Sequence, residues 1–215
     1  MCYSDELSLT SLSFGLFASL ILIGYGNKES ENTNKAIGYF FLFVTLMQLV
    51  EYFLWIDQKC INGYNYVGAV VGPILNNLQP VVMLILARMY LESSKIISDQ
   101  ALLLANGLYI MYMVYKYIEY VSDESNLCVE TNDEGHLNWT WKKDFNYLFY
   151  FILNFINAAN YYENSNFMIV FIISYLLWIL SLFNFHKNVG EFWCLMVTGV
   201  PLVALFMQKV LLINN

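Results

Sequence analysis

Long apolar runs, interrupted by few charged residues, dominate this sequence of 215 residues. Seven runs can be separated, because short polar segments such as 26–32, 57–59 and 92–95 divide them. The runs cover residues 7–25, 35–56, 66–91, 100–121, 144–162, 167–185 and 191–213. A helix needs about 20 apolar residues to cross the ~30 Å hydrocarbon layer of a bilayer. The pattern therefore predicts helices whose solvent is lipid.

The composition supports this interpretation. Charged residues make up only 13% of the chain, whereas soluble domains carry about 25%. Backbone polar groups in hydrocarbon must be satisfied internally, so each run should be helical. We predict an all-α, polytopic membrane protein, a seven-transmembrane-helix bundle that forms one transmembrane domain over 1–215 with a soluble loop at 122–143. Six crossings plus an interfacial helix is the alternative, because asparagines interrupt 144–162.

The cysteines indicate an orientation. With seven crossings, the N-terminus and the second, fourth and sixth loops share side A, and the other loops and the C-terminus share side B. All four cysteines, Cys2, Cys60, Cys128 and Cys194, fall on side A, as does a glycosylation sequon at Asn138. An oxidising space there would permit two disulfides, and of the three connectivities we favour Cys60–Cys128 with Cys2–Cys194. We predict the N-terminus outside and the C-terminus in the cytoplasm.

Two runs share a pattern that suggests internal duplication. A proline followed eight residues later by a basic residue occurs at Pro80–Arg88 and again at Pro201–Lys209. In a seven-helix chain, helices one to three run in the same directions as helices five to seven. A 3+1+3 parallel repeat, a plan that some transporters use, would explain the match. The alternative is a chance likeness between apolar helices that each end in a base.

Glu51 is the ionisable residue that stands out within a predicted helix. It lies six residues before Asp57, about 9 Å along the helix axis. Gln48 precedes it by three residues and falls on the same helix face. An ionisable residue at such a depth is costly and is a functional candidate by default. The alternative is a carboxyl group that braces neighbouring helices.

Carboxamides and phenols lie at similar depth in other runs. They are Asn76, Asn77 and Gln79 in the third run, Tyr112 in the fourth, and Asn154 and Asn157 in the fifth. Such side chains hydrogen-bond across membrane helices for about 1 kcal/mol, so a structural polar core would have the same composition. Together with Glu51 and Gln48 they favour a hydrated cavity open to side A, which would bind protons, small ions or small polar solutes.

Several function classes are disfavoured. The net charge of −7 argues against nucleic acid as a partner, because phosphate binding needs clustered Lys and Arg. Two histidines, His136 and His186, are too few for a seven-helix zinc hydrolase. A metal site built from Cys2, Cys194, Glu51 and His186 is the one alternative, and disulfide pairing would forbid it. We expect no metal and no cofactor.

Short motifs along the chain resemble those of a known family. They are Met1-Cys2-Tyr3-Ser4 with Ser11, Phe14 and Gly15, then Gln48-x-x-Glu51-x-x-x-Trp55, Leu78-Gln79-Pro80 and Trp193-Cys194. The family is an uncharacterised one of small multi-helix membrane proteins in bacteria, with related forms in large DNA viruses and algae. The resemblance implies importance for Cys2, Glu51, Gln79, Trp193 and Cys194 and brings no activity with it. The chain is also similar, more distantly, to seven-helix sugar transporters and retrieval receptors, although their Pro-Gln motif is reversed here.

The sequence favours a transporter or channel for protons, small ions or small polar solutes, with Glu51 as the ionisable site. The alternative is a non-catalytic structural or receptor-like membrane protein that binds a partner through its extracytoplasmic face. The expected partners are the lipid bilayer, the transported ion or solute, and a second copy of the chain.

Overall fold

The chain folds into helices throughout the part that the structure, a computed structural model, describes. The described residues are 4–133, 135–143, 145, 147–184, 193 and 195–212. Over them there are seven α-helices and no β-strand, which confirms the all-α class. The helices are α1 Asp5–Tyr25, α2 Glu31–Ile56, α3 Tyr64–Tyr90, α4 Asp99–Val121, α5 Tyr147–Ala159, α6 Ser165–Asn184 and α7 Val200–Leu212. The predictions on Cys2, Cys194 and His186 lie outside the described residues.

Serine caps determine where two of the helices begin. The Ser4 hydroxyl accepts a hydrogen bond from the N–H of Leu7 at 3.1 Å, so α1 starts at Asp5. Ser98 caps α4 in the same way through the N–H of Ala101. Serine is among the best residues at this position, because its side chain satisfies an N–H that the helix leaves unpaired.

Five of the described helices are long and apolar enough to cross a membrane, namely α1, α2 with the turn before it, α3, α4 and α6. The fifth helix is shorter than the predicted 144–162, since α5 has 13 residues, or about 20 Å of helix. It ends before Asn160, whose backbone carbonyl accepts from the N–H of Ser94 and whose side chain accepts from Ile97. The Asn160 groups therefore bond the α3–α4 connection instead of continuing the helix.

α2 lies at the centre of the bundle. It packs along α1 on one side and α3 on the other, and it also contacts α6 and α7. The largest apolar cluster forms among these helices and includes Leu22, Phe41 and Met83. α4 is peripheral, with its packing against α3 and α5, and it exposes large apolar side chains such as Leu104 and Met111.

α3 continues as one helix through Pro73 and Pro80. A proline lacks an N–H and leaves the carbonyl four residues earlier without its helical donor. The carbonyl that Pro73 frees, that of Ala69, accepts from the Tyr120 hydroxyl of α4 at 3.1 Å. By contrast, Pro201 is the second residue of α7 and follows a turn at 198–199. The two prolines that suggest a 3+1+3 repeat thus occupy different positions in their helices.

Amide side chains fix the side-B end of the bundle. Gln208 of α7 donates to Asn34 of α2 at 2.6 Å and accepts from the backbone N–H of Asn27 at 3.2 Å. Asn164 donates to the hydroxyl of Thr33 at 2.8 Å. These bonds hold the α1–α2 connection, the α5–α6 connection and α7 together.

The segment 122–143, the predicted soluble loop, carries two indoles that pack into the bundle, and we call it the side-A segment. Trp139 and Trp141 are 1% and 0% exposed, and their rings stack with centroids 5.0 Å apart. A disulfide joins Cys128 to Cys60 in the α2–α3 connection, which is the pairing favoured from the sequence. Asn138 is exposed. Burial of two indoles draws the segment into the core because they carry large apolar surfaces.

Asp57 organises the α2–α3 connection that the disulfide reaches. Its carboxylate accepts from the backbone N–H groups of Ile61, Asn62 and Asn65 at 2.9 to 3.3 Å. Burial by itself would raise the pKa of Asp57, but the backbone donors outweigh it and hold the pKa below its usual value of 3.8. The turn is therefore built around a charged carboxylate.

Candidate functional site

Three polar residues of α2 lie three positions apart and are buried together. Thr45, Gln48 and Glu51 are 1%, 0% and 0% exposed, and we call them the α2 polar row. Residues at this spacing are neighbours on one face of a helix. The predicted pair of Glu51 and Gln48 is thus brought together inside the bundle, with Thr45 one further turn from side A.

α1 approaches this row closely. A Cβ added at Gly15 would lie 2.5 Å from Oγ1 of Thr45, so α1 can pack here only because residue 15 is glycine. Helices α1 and α2 are antiparallel neighbours, and this contact sets their register. It places Ser11 near the level of Gln48 and Ser8 near the level of Glu51, and both serines are buried. Hydroxyl-bearing residues of α1 therefore face the part of α2 that carries the carboxylate.

Gln48, Thr45 and Ser19 have buried polar atoms without a hydrogen bond to the described part of the protein. Within the described residues, neither the amide nitrogen nor the carbonyl oxygen of Gln48 has a hydrogen bond, and the hydroxyls of Thr45 and Ser19 have none either. A buried polar group left unbonded costs about 1–3 kcal/mol. Native proteins commonly satisfy such groups with water or a ligand. The simplest physical account is a polar occupant beside the row.

Gln79 of α3 lies deeper than the row. A Cβ at Gly68 would lie 2.6 Å from the Leu54 side chain, and the antiparallel register set by this contact places Gln79 about one turn beyond Thr45. The carbonyl of Gln79 accepts from the Tyr150 hydroxyl at 2.5 Å, whereas its amide nitrogen has no partner in the described part of the chain. Gln79 is thus half satisfied.

A second group of buried amides is fully used in holding helices together. Asn106 of α4 and Asn157 of α5 exchange two hydrogen bonds of 2.9 and 3.0 Å. Asn157 also donates to the carbonyl of Pro80 in α3 at 3.0 Å. We call Asn106, Asn157 and the Pro80 carbonyl the amide brace, because their hydrogen bonds join α3, α4 and α5 at one point.

The remaining predicted residues belong to the same side of the bundle as the brace. Asn76 donates to the Tyr147 hydroxyl at 3.3 Å, Asn77 to the Pro73 carbonyl at 2.8 Å, and Asn154 to the Tyr150 carbonyl at 3.1 Å. Tyr112 packs edge-on against Phe149 in an open apolar groove of about 280 Å³ between α4 and α5. The structure does not bring these four residues to the α2 polar row.

A cavity that the sequence does not predict lies between α2, α3, α5 and α6. Its volume is about 50 Å³, and its wall is mainly aromatic and aliphatic, with Tyr150, Asn154 and Ser174 as polar members. Tyr150 lines this cavity and its hydroxyl donates to Gln79, so the cavity lies next to Gln79.

Sequence reasoning missed Thr45, Ser8, Ser11 and Ser19. A signal for them exists, because the buried residues of α1 are mostly small and recur every three or four positions. This is the spacing of a helix face that packs closely on a neighbour.

The chemistry available at the row is that of oxygen ligands and one acid. A carboxylate, a carboxamide and hydroxyls can exchange a proton or replace part of the hydration shell of a hard cation. Within the described residues, no three His, Cys, Asp or Glu side chains come together as a metal site.

Comparison with known proteins adds no relative. No family model, no curated protein and no solved structure matches this chain. The family resemblance drawn from the short motifs therefore stays a prediction.

Proposed function

We propose that this chain is an integral membrane protein with seven crossings, the N-terminus outside and the C-terminus in the cytoplasm, and that it carries protons, small ions or small polar solutes past Glu51. Five helices of sufficient length support the membrane assignment. So does α4, whose exposed apolar side chains such as Leu104 and Met111 would otherwise face water. α5 and the last helix would complete the seven, and the disulfide suits an oxidising space on side A.

The observation that carries the transport proposal is the lack of hydrogen bonds at Gln48 and Thr45 within the described residues. Both polar atoms of Gln48 and the hydroxyl of Thr45 are buried without a hydrogen bond in the described part of the protein. A merely structural polar core would be bonded like the amide brace, where the same kinds of side chain satisfy each other. An occupant that enters and leaves accounts for the difference.

Glu51 supplies the ionisable group of this proposal. It is 0% exposed and lies on the same helix face as Gln48, one turn closer to side A. An ionisable residue buried within a membrane helix is costly and is a candidate for an ion pathway or a proton relay. The carboxylate would bind the cation or proton, and Gln48 and Thr45 would complete its coordination.

Flux through proteoliposomes tests the proposal. With Glu51→Gln, which keeps the shape and removes the charge, we expect proton or cation flux to fall by about tenfold or more, equivalent to ~1.4 kcal/mol in the barrier. Glu119→Gln is the matched control, because Glu119 is exposed and pairs with Lys116 at 2.7 Å. Loss of flux in both variants, or in neither, with folding intact, would contradict a role for Glu51.

A receptor-like role is the second candidate. The side-A segment is held by a disulfide and exposes the acidic residues Asp123, Glu124, Glu130 and Asp133. A fixed acidic surface of this kind suits a basic partner. Binding of a partner to wild type and to Glu51→Gln alike, without flux in either, would favour this candidate over transport.

A further inference from the structure

The side-A segment reaches into the bundle at the level of the α2 polar row. A Cβ added at Gly72 would lie 2.6 Å from the six-membered ring of Trp141, so this ring fills the space that a side chain at position 72 would take. Gly72 lies eight residues after the start of α3 at Tyr64, which is about 12 Å along the helix. Trp141 therefore penetrates well below the end of α3.

The register of α2 against α3 relates this ring to the row. A Cβ at Gly68 would lie 2.6 Å from the side chain of Leu54 and 3.2 Å from the carbonyl oxygen of Val50. Because the two helices are antiparallel, Gly72, four residues further along α3, lies at the level of Gln48 in α2. The stacked indoles of Trp139 and Trp141 thus cover α3 between the side-A surface and the polar row.

Several attachments keep the segment in this place, among them a bond from the backbone N–H of Thr131 to the Gln58 side chain at 3.1 Å. The disulfide joins Cys128 to Cys60, with Cα atoms 5.9 Å apart. The Asn65 side chain exchanges two bonds of 2.8 Å with the backbone N–H and carbonyl of Val129. At the other end, the hydroxyls of Thr140 and Tyr120 lie 2.9 Å apart. The disulfide and the Asn65 bonds reach neighbouring residues, Cys128 and Val129. None of these attachments involves the indole rings.

The indoles themselves are held by packing and, at Trp139, by the Lys142 ammonium, which lies 5.1 Å from the ring centroid. Within the described residues, the ring N–H groups of Trp139 and Trp141 have no hydrogen-bond acceptor, although both are buried. A buried indole normally finds a partner for its N–H. Displacing a packed side chain costs less free energy when the side chain has no hydrogen bonds to break.

From this arrangement we propose that residues 122–143 form a plug that closes the α2 polar row to side A, with the Cys60–Cys128 disulfide as its latch. The plug rests on the proposed function, since it regulates entry to the same site. Trp141 is the residue that blocks access, because its ring lies at the same height along the helix axes as Gln48. Displacement of the indoles exposes the row to water on side A while Asn65 and the helices stay in place.

Thiol labelling tests the plug without reference to transport. The reporter is Gln48→Cys in a background where Cys2 and Cys194 are serine, and the probe is a charged, water-soluble thiosulfonate applied to the protein in detergent. We expect Cys60→Ser/Cys128→Ser and, separately, Trp141→Ala to raise the labelling rate about tenfold or more, because labelling of a buried thiol follows the population of the open state. Unchanged rates in both variants would overturn the plug.

Matched controls keep the result specific. Trp178→Ala removes an indole of α6 that packs on Phe151, with ring centroids 3.9 Å apart, and Trp178 belongs neither to the side-A segment nor to the α2 polar row. It should leave the labelling rate unchanged, and an equal rise there would overturn the plug by showing general loosening. The two plug variants break different contacts, so a folding defect in one leaves the other as the test.

Flux measured on wild type and on the plug variants with Gln48 retained separates the two proposals, because Gln48→Cys would itself remove a proposed ligand. Faster labelling with faster flux supports both. Faster labelling without flux in any variant keeps the plug and removes the transport function.

Discussion

The α2 polar row and the amide brace contain similar side chains at similar burial, yet they are bonded in opposite ways. In the brace, Asn106 and Asn157 satisfy each other and a backbone carbonyl next to a proline. In the row, Gln48 is as deeply buried but has no bond within the described residues. The contrast teaches that burial of an amide does not reveal whether its hydrogen bonds are satisfied, and the proposed function rests on this difference.

The largest effect is expected from breaking the brace. Asn157→Leu leaves the side-chain carbonyl of Asn106 without its donor and removes the bond that ties α5 to the Pro80 carbonyl. We expect the free energy of unfolding in detergent to fall by about 1–3 kcal/mol, the cost of leaving a buried polar group unbonded. Denaturant titration followed by circular dichroism measures it.

The double variant Asn106→Leu/Asn157→Leu sharpens this result. It removes both partners, so it should cost less than the sum of the single changes, because fewer polar groups stay unbonded. Strict additivity would mean that the brace does not act as a bonded pair.

A smaller effect is expected at Asp57, the carboxylate that follows α2 and accepts hydrogen bonds from the turn. Its pKa in the folded protein lies below 3.8 because backbone N–H groups bind the charged form. A group with a depressed folded pKa stabilises the fold above its unfolded pKa and loses that contribution as the pH falls through the folded value. Wild type should therefore exceed Asp57→Asn in thermal stability at neutral pH.

The advantage of wild type over Asp57→Asn should shrink between about pH 5 and pH 3. Thermal melts of both proteins across this range measure it. A difference that stays constant with pH would show that the turn does not depend on the charge of Asp57.

The smallest effect on stability is expected in the row. Gln48→Met replaces an unbonded polar side chain by an apolar one of similar length, so the free energy of unfolding should change by less than about 1.5 kcal/mol or should rise. Flux should nevertheless fall, which separates the site from the scaffold. A loss of stability as large as that of Asn157→Leu would show that Gln48 is bonded in the protein, and the contrast between row and brace would disappear.

The prediction from sequence is uneven along the chain. The apolar runs locate the seven helices because each run is long and the polar punctuation between them is clear. The end of α5 is misplaced, since Asn160 and its neighbours bond the α3–α4 connection, a contact between residues more than 60 positions apart. The contacts of the side-A segment are likewise hidden in the sequence. Nothing local reveals that the ring of Trp141 fills the space beside Gly72.

The candidate site, too, was predictable from local spacing only in part. Helical spacing alone placed Gln48 and Glu51 on one face of α2, because i and i+3 are neighbours on any helix. The sequence could not separate them from Asn77, Asn154 and Asn157, since a hydrogen bond to another helix has no local signature.

By itself the sequence determined that this chain is helical and apolar, and which helix faces carry polar side chains, because periodicity and composition act through neighbours a few residues apart. Only the tertiary structure decided which of those side chains are satisfied. Whether an amide finds a partner depends on the register between helices, and that register is set by close contacts such as those of Gly15 and Gly68. The division between brace and row is therefore a property of the packed bundle.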